Sequence, residues 1–254
     1  MKKILICAFL LCIALTFIAC GQTKDENVLI LATNANFPPY ESVDEEGNYI
    51  GIDIEASKLI AEKLGMTLQV ENMDFDSIIP SVATGKCDIG MAGLTVTDER
   101  KKSVSFSDTY ATGVQVVIVK DGSPITTVDD LYAEGVSYKV GVQLSTTGDI
   151  YFSDDIDNNN TTCSIERFKN GADAVLALSN GQIDCVIIDN EPAKSFVRSN
   201  TGLHILDSEY TNEDYAICTS LENTELLEKI NAALKELTED GSLKKIIDKY
   251  IPAE

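Results

Sequence analysis

From position 28 onward, short apolar runs alternate with stretches in which apolar residues recur every three to four positions, the pattern of strands and helices taken in turn. Positions 28–32 (Val-Leu-Ile-Leu-Ala) predict a buried strand ending at Thr33 and Asn34, and the Pro38-Pro39 pair predicts an extended loop after it. Ile52, Ala56, Leu59, Ile60 and Leu64 share one helical face, with Gly65 as the stop. Positions 67–70 read as a strand, 77–84 as a short helix stopped by Gly85, and 87–92 as a strand running into Gly93. A second series follows, with strands at 113–119, 139–142 and 183–188 and helices from about Thr147 and over 171–179. Leu226, Leu227, Ile230, Leu234, Leu237, Leu243 and Ile246 predict two amphipathic helices split near Gly241. Alternation of this kind predicts mainly parallel sheet with helices on its faces.

The two series echo each other. Ser81-Val-Ala-Thr-Gly85-Lys-Cys-Asp88 is answered by Leu178-Ser-Asn-Gly181-Gln-Ile-Asp184, each a helix end, a glycine, and an aspartate opening a buried strand. Helix-to-strand turns commonly use glycine, so the echo suits two similar lobes without proving a duplication. A chain of 254 residues also suits two compact lobes better than one core. The polar run at 154–162, with asparagines at 158, 159 and 160, predicts a surface loop that lacks the acidic spacing of a calcium loop.

The first nineteen residues differ in kind. Lys2 and Lys3 precede an uncharged apolar stretch, 4–19, shorter than a spanning helix needs, which reads as a secretion signal. Ala19-Cys20-Gly21 at its end, followed by a polar run, has the look of a bacterial lipoprotein processing site, with Phe17 where Leu is usual; Cys20 is the expected lipidated residue. Removing the signal takes away two lysines and no acid, so the formal charge moves from −21 to −23. Such an acidic surface repels nucleic acid and anionic lipid headgroups, leaving the lipid anchor as the expected contact with a membrane. Of seven cysteines, Cys87, Cys163, Cys185 and Cys218 stay in the folded part with no metal-type spacing. They read as buried thiols, and a Cys163–Cys185 disulfide stays open.

Enzyme signatures are missing. His204 is the only histidine, which excludes histidine triads and multi-histidine metal centres, and no phosphate-cradling glycine loop or nucleophile elbow is present. No cofactor and no metal are expected. What is left are groups suited to a zwitterion: an arginine after a strand, hydroxyls at strand and helix ends, and an acid closing a buried strand. A guanidinium fork holds a carboxylate through two parallel hydrogen bonds, so Arg100 is a candidate; a surface ion pair with Asp98 or Glu99 explains it equally well on spacing alone.

Six motifs in order bear on that choice. Asn34-Ala-Asn-Phe-Pro-Pro-Tyr-Glu41, Gly51-Ile-Asp-Ile-Glu55, Asp74-Phe-Asp-Ser-Ile-Ile-Pro80, Gly93-Leu-Thr-Val-Thr-Asp-Glu-Arg100, Gly141-Val-Gln-Leu-Ser-Thr-Thr-Gly148 and Ile183-Asp-Cys-Val-Ile-Ile-Asp189 together resemble the polar amino-acid-binding proteins of bacterial ABC importers. The resemblance runs from Val28 to Tyr250. It implies an α/β, two-lobed periplasmic-binding-protein-like fold of type II, each lobe a mainly parallel sheet flanked by helices. Lobe 1 is expected at 28–111 plus 215–254 and lobe 2 at 112–214, with hinge strands near 112–115 and 209–214.

The same resemblance implies that Arg100 binds the ligand carboxylate, with Thr95 helping to hold the amino-acid backbone. Gly93 offers a carbonyl to the ammonium group and Asp189 pairs with it. Thr146 and Thr147 close over the carboxylate from the second lobe, and Phe37 and Phe75 sandwich the ligand side chain. On the residues alone, the two phenylalanines read as core and Asp189 reads as the cap of the helix that follows. Asn34 and Gln143 are amides where relatives of this kind often carry an acid and a lysine, which favours an uncharged polar ligand, while Glu41 keeps arginine open.

The expected function is capture of a free amino acid outside the cell, by a monomer anchored through Cys20 to the outer face of the membrane, and delivery to an ABC permease and its ATPase. The rivals are an enzyme of the same fold, akin to cyclohexadienyl dehydratase, and a ligand-sensing module.

Overall fold

The computed structural model describes residues 27–252. The expected signal, 1–19, and Cys20 lie outside the described residues. In chain order the elements are β1 (Val28–Thr33), β2 (Ser42–Val43), β3 (Tyr49–Ile50), α1 (Ile52–Lys63), β4 (Thr67–Asn72), α2 (Ile78–Ala83), β5 (Ile89–Gly90) and β6 (Val104–Lys120). There follow β7 (Lys139–Gln143), α3 (Thr147–Asp157), β8 (Ser164–Phe168), α4 (Gly171–Ser179), β9 (Cys185–Asp189), α5 (Asn190–Ser199), β10 (Leu203–Ile205), β11 (Thr211–Ser220), α6 (Thr224–Glu239) and α7 (Ser242–Tyr250).

Two parallel blocks carry the architecture. β4, β1 and β5 run parallel in one block, and β9, β7 and β8 in the other. Parallel neighbours need crossover connections, and the helices α1 to α4 supply them. Between the blocks lie β11 and β6, antiparallel to each other and to the parallel strands beside them, so the sheet order is β4-β1-β5-β11-β6-β9-β7-β8 with β10 on β6. This is a two-lobed α/β fold in which one long pair of strands passes from lobe to lobe.

Period-two alternation sorts the side chains onto two faces of each block. On β6, Val116 and Ile118 face the core that includes Val175 and Leu178 of α4, whereas Val117 and Val119 face a second core around Phe152 of α3 and Leu131. On β1, Leu29 and Leu31 pack in the core that holds Ile54 and Ile60 of α1 and Ile230 and Leu234 of α6, while Ala32 packs with Ile78 and Val82 of α2. Both faces are covered, as parallel sheet requires.

Three details differ from the sequence reading. β6 spans 17 residues instead of the apolar 113–119, because pairing with β11 satisfies the backbone of its polar first half. Asp154 to Asp157 belong to the last turn of α3, so the polar loop is shorter than 154–162. β5 is only Ile89–Gly90. Cys87, Cys163, Cys185 and Cys218 are buried free thiols, as the sequence reading expected, and the Cys163–Cys185 bridge it left open is not made.

Candidate ligand-binding cleft

Strand ends build the cleft. Asn34 directly follows β1, Ala92 and Gly93 follow β5, Gln143 ends β7 and Asp189 ends β9. These are the carboxyl ends of parallel strands from both blocks, where open α/β sheets gather ligand groups. All ten site residues expected from the sequence line one narrow cleft: Asn34, Phe37, Phe75, Gly93, Thr95 and Arg100 from one side, Gln143, Thr146, Thr147 and Asp189 from the other. Glu41 and Ala92 complete the lining.

Arg100 is buried, 7% exposed, which removes its surface-pair reading. Asp98 and Glu99 pair with Lys101 and Lys102 instead. The Thr97 hydroxyl oxygen accepts from the Arg100 backbone N–H at 3.1 Å and holds the turn in which the arginine sits. Its Nη1 donates to the Thr95 carbonyl at 2.7 Å, and its Nη2 crosses the cleft to the Ser145 carbonyl at 3.0 Å. The guanidinium carbon lies 5.5 Å from the centre of the Phe75 ring. Burial lowers the arginine pKa, and Glu213 is the foremost charge opposing that.

Facing it, α3 opens at Thr147 with Thr146 as the residue before the first turn. Asp149 fixes that opening: its Oδ2 accepts from the Ser145 N–H at 2.9 Å and its Oδ1 from Arg167 Nε at 2.8 Å. A helix start directs N–H groups and positive potential outward, which suits an anion beside Arg100.

Asp189 precedes α5 but makes no side-chain cap bond, so the capping explanation fails. Its carboxylate accepts from the Tyr215 hydroxyl. A Cβ at Gly113 would collide with that hydroxyl, so glycine is the residue that lets the tyrosine cross β6. Burial pushes the Asp189 carboxyl up to about 7, with Glu213 adding to the shift and Tyr215 and Gln115 opposing it.

Phe37 is both things the sequence allowed, buried in the core and exposed to the cleft by its edge. A side chain on Gly93, whose φ is +52°, would come within 3.0 Å of its ring. Asn34 and Gln143 meet each other across the cleft, Gln143 Nε2 donating to Asn34 Oδ1 at 3.1 Å. The amides expected to face the ligand are therefore partly spent on closing the lobes.

Glu41 is the group the sequence underrated. It is fully buried, no N–H or hydroxyl donor reaches either of its oxygens, and its one polar neighbour is the Asp53 carboxyl, with which it shares a hydrogen bond. Burial first, then the charge of nearby Asp53, pushes its carboxyl well above the usual range. Asp53 accepts at Oδ2 from the Gly93 N–H at 2.8 Å and from the Tyr110 hydroxyl at 2.9 Å, and its own pKa is pushed up by burial to about 7. Asp53, Gln115, Glu213 and Tyr215 went unassigned in the sequence because they act behind the lining, through contacts far apart in the chain. Around one buried arginine the cleft region thus gathers five buried carboxyls, Glu41, Asp53, Asp149, Asp189 and Glu213, of which Asp149 is paired with Arg167.

Residues 29–253 match the family model described as bacterial extracellular solute-binding proteins, family 3. The chain belongs to that family. A probable histidine-binding protein of Neisseria gonorrhoeae is 35% identical, with 100% of this chain and 97% of that protein aligned. An arginine-binding extracellular protein of Bacillus subtilis is 30% identical over 100% of both chains. Among solved structures, an ancestral arginine-binding protein bound to arginine superposes with a TM-score of 0.82 at 39% identity, covering 89% of this chain and 98% of that one. These relatives are binding proteins, and this family 3 solute-binding protein is likewise a binder of the two-lobed type II fold and not an enzyme. Among the described residues no helix is long and apolar enough to cross a membrane, and no cluster of side chains is arranged to hold a metal ion.

Proposed function

We propose that this protein captures a free amino acid with a cationic side chain between its lobes and presents the closed complex to an ABC permease. The observation that carries the reading is a cleft in which one buried arginine is outnumbered by buried carboxyls, one of them, Glu41, lining the cleft with only another carboxyl, Asp53, for a partner. An amino acid leaving water must have each charge met by an opposite one. Arg100 and Thr147 suit the carboxylate, Asp189, Thr95 and Gly93 the ammonium, and Phe37 and Phe75 the hydrocarbon part of the side chain. Beside a simple zwitterion Glu41 keeps its proton against Asp53; a guanidinium or ammonium at the side-chain end lets it ionise and pair. The named ligands of the relatives, histidine and arginine, support this choice. It departs from the uncharged ligand that Asn34 and Gln143 favoured, since those amides bond to each other.

Because Arg100 and Asp189 stand on opposite sides, a bound amino acid favours the closed state by contacts that the open state lacks. The lobes proposed for this motion are 28–111 plus 215–254 and 112–214, with the hinge where β6 and β11 cross. The protein works as a monomer held to the outer face of the membrane through lipidated Cys20; a Cys20→Ala variant released from cells into the medium supports the anchor, and one that stays membrane-bound refutes it.

A thermal-shift screen of the soluble form against all twenty amino acids and citrulline tests the ligand. Arginine at about 100 times its Kd is expected to stabilise by about 2.7 kcal/mol, with citrulline, its neutral isostere, weaker, and no shift in Arg100→Ala. Equal shifts with arginine and citrulline would refute the cationic assignment, and no shift with any amino acid would refute capture.

A further inference from the structure

We propose that Glu213, assisted by Gln115, is a positioning residue that presents the Thr95 hydroxyl to the ligand as an acceptor, so that the site takes an ammonium group there and rejects a carbonyl. The inference rests on the amino-acid reading above.

A hydroxyl has one hydrogen and two lone pairs, so in a closed cleft its direction decides which charge it favours. Thr95 is buried and lines the cleft. Behind it, Glu213 Oε2 lies 3.0 Å from Thr95 Oγ1 and also 3.0 Å from Gln115 Nε2. Both contacts run toward Oε2, the amide of Gln115 and the hydroxyl of Thr95 each donating to it, so the Thr95 hydrogen is directed away from the cleft. The lone pairs of Thr95 are left for the cleft. Gln115 Nε2 also approaches Thr147 Oγ1 at 3.4 Å, a longer contact in which Thr147 accepts and keeps its hydrogen for the cleft. Glu213 and Gln115 thus set two hydroxyls of the cleft in opposite senses, Thr95 accepting from one side and Thr147 donating from the other. That is the polarity a zwitterion needs.

A role in stability alone fits poorly. Glu213 and Gln115 are buried, no N–H or hydroxyl donor reaches Glu213 Oε1 or Gln115 Oε1, and Glu213 lies against a second carboxyl, Asp189, an arrangement that costs stability where an apolar pair of the same size costs none. Both residues sit where β11 pairs with β6, Glu213 opposite Gly113 and Gln115 opposite Thr211, between the strands that carry the ligand groups.

Calorimetry with L-arginine and with its 2-oxo acid, which offers only acceptors where arginine offers an ammonium, tests the proposal. The unmutated protein is expected to prefer arginine strongly. Glu213→Gln, whose amide can donate to Thr95 and turn its hydroxyl toward the cleft, is expected to bind arginine at least tenfold more weakly and the 2-oxo acid no more weakly. In a Thr95→Val background the same change is expected to alter arginine affinity less than twofold, because the hydroxyl it acts through is gone. Gln115→Met is the second variant, and its arginine preference is expected to fall in the same direction. Equal losses for both ligands in Glu213→Gln and Gln115→Met, or additive losses in the Thr95→Val background, would overturn the proposal. If the unmutated protein does not bind arginine, the ligand assignment falls, and this inference falls with it.

Discussion

The turn at Gly85 and the turn at Gly181 are the same piece of engineering in two lobes. Each glycine adopts a left-handed conformation, with φ of 72° and 70°. Three residues on, Asp88 and Asp184 each place a carboxylate oxygen on a backbone N–H of a neighbouring strand, Ile30 at 2.8 Å and Lys139 at 2.7 Å. Their own N–H groups return to the carbonyls of the same two residues, both at 2.9 Å. Yet the strands that follow deliver opposite chemistry. β5 is two residues long and leads through Gly93 and Thr95 to Arg100, whereas β9 runs five residues straight to Asp189. The scaffold is shared, and the strand end decides the charge.

The largest effect separating scaffold from site is expected at the strand ends. Arg100→Ala and Asp189→Asn should each weaken amino-acid binding by about 2–5 kcal/mol, the usual loss when one partner of a buried charge pair is removed. The empty Asp189→Asn protein should melt no lower than the unmutated one, because a carboxyl pushed up to about 7 by burial is replaced by a neutral amide. A drop in melting temperature with unchanged affinity would put Asp189 in the scaffold.

Gly113→Ala comes next. The added methyl displaces Tyr215 from Asp189, and overpacking of this kind costs about 1–3 kcal/mol. Denaturant melts should show it in the empty protein, with affinity reduced as well.

pH divides the same two functions in opposite directions. Asp53 and Asp189 hold their protons up to about 7 when folded and to about 3.9 when unfolded. Between those values the folded state binds more protons, so their contribution to the stability of the empty protein is greatest below about 4 and is lost as pH rises through about 7. Pairing of Asp189 with an ammonium needs the ionised carboxylate, so affinity should fall about tenfold per unit below about 7. Calorimetry from pH 5 to 8 checks the second trend and melts of the empty protein the first; an affinity flat across that range would refute the pairing.

The smallest effects belong to the repeated turn. Asp88→Ala should cost about 1 kcal/mol of stability and Asp184→Ala less, since Asp88 is half-buried and Asp184 exposed. Neither should change affinity; a change in affinity at either would mean that the turn also positions its strand end.

Local signals determined much of this protein. Alternation of apolar runs and helical periods located α1, α4, α6 and α7 nearly to the residue, because an amphipathic face and a terminating glycine act within a few positions. Likeness of six short motifs to a known family brought nine side chains and the backbone of Gly93 to one cleft before any contact was visible. The tertiary structure decided what depends on distant partners. The polar half of β6 is a strand only because β11 lies beside it. Arg100 is a cleft residue instead of a surface ion pair because Thr95, Ser145 and Phe75 surround it. The carboxyl surroundings of Glu41 and the direction of the Thr95 hydroxyl likewise appear only when residues 53, 115 and 213 are folded against them. Burial and hydrogen-bond direction belong to a neighbourhood, and a neighbourhood drawn from both lobes has no local trace in the chain.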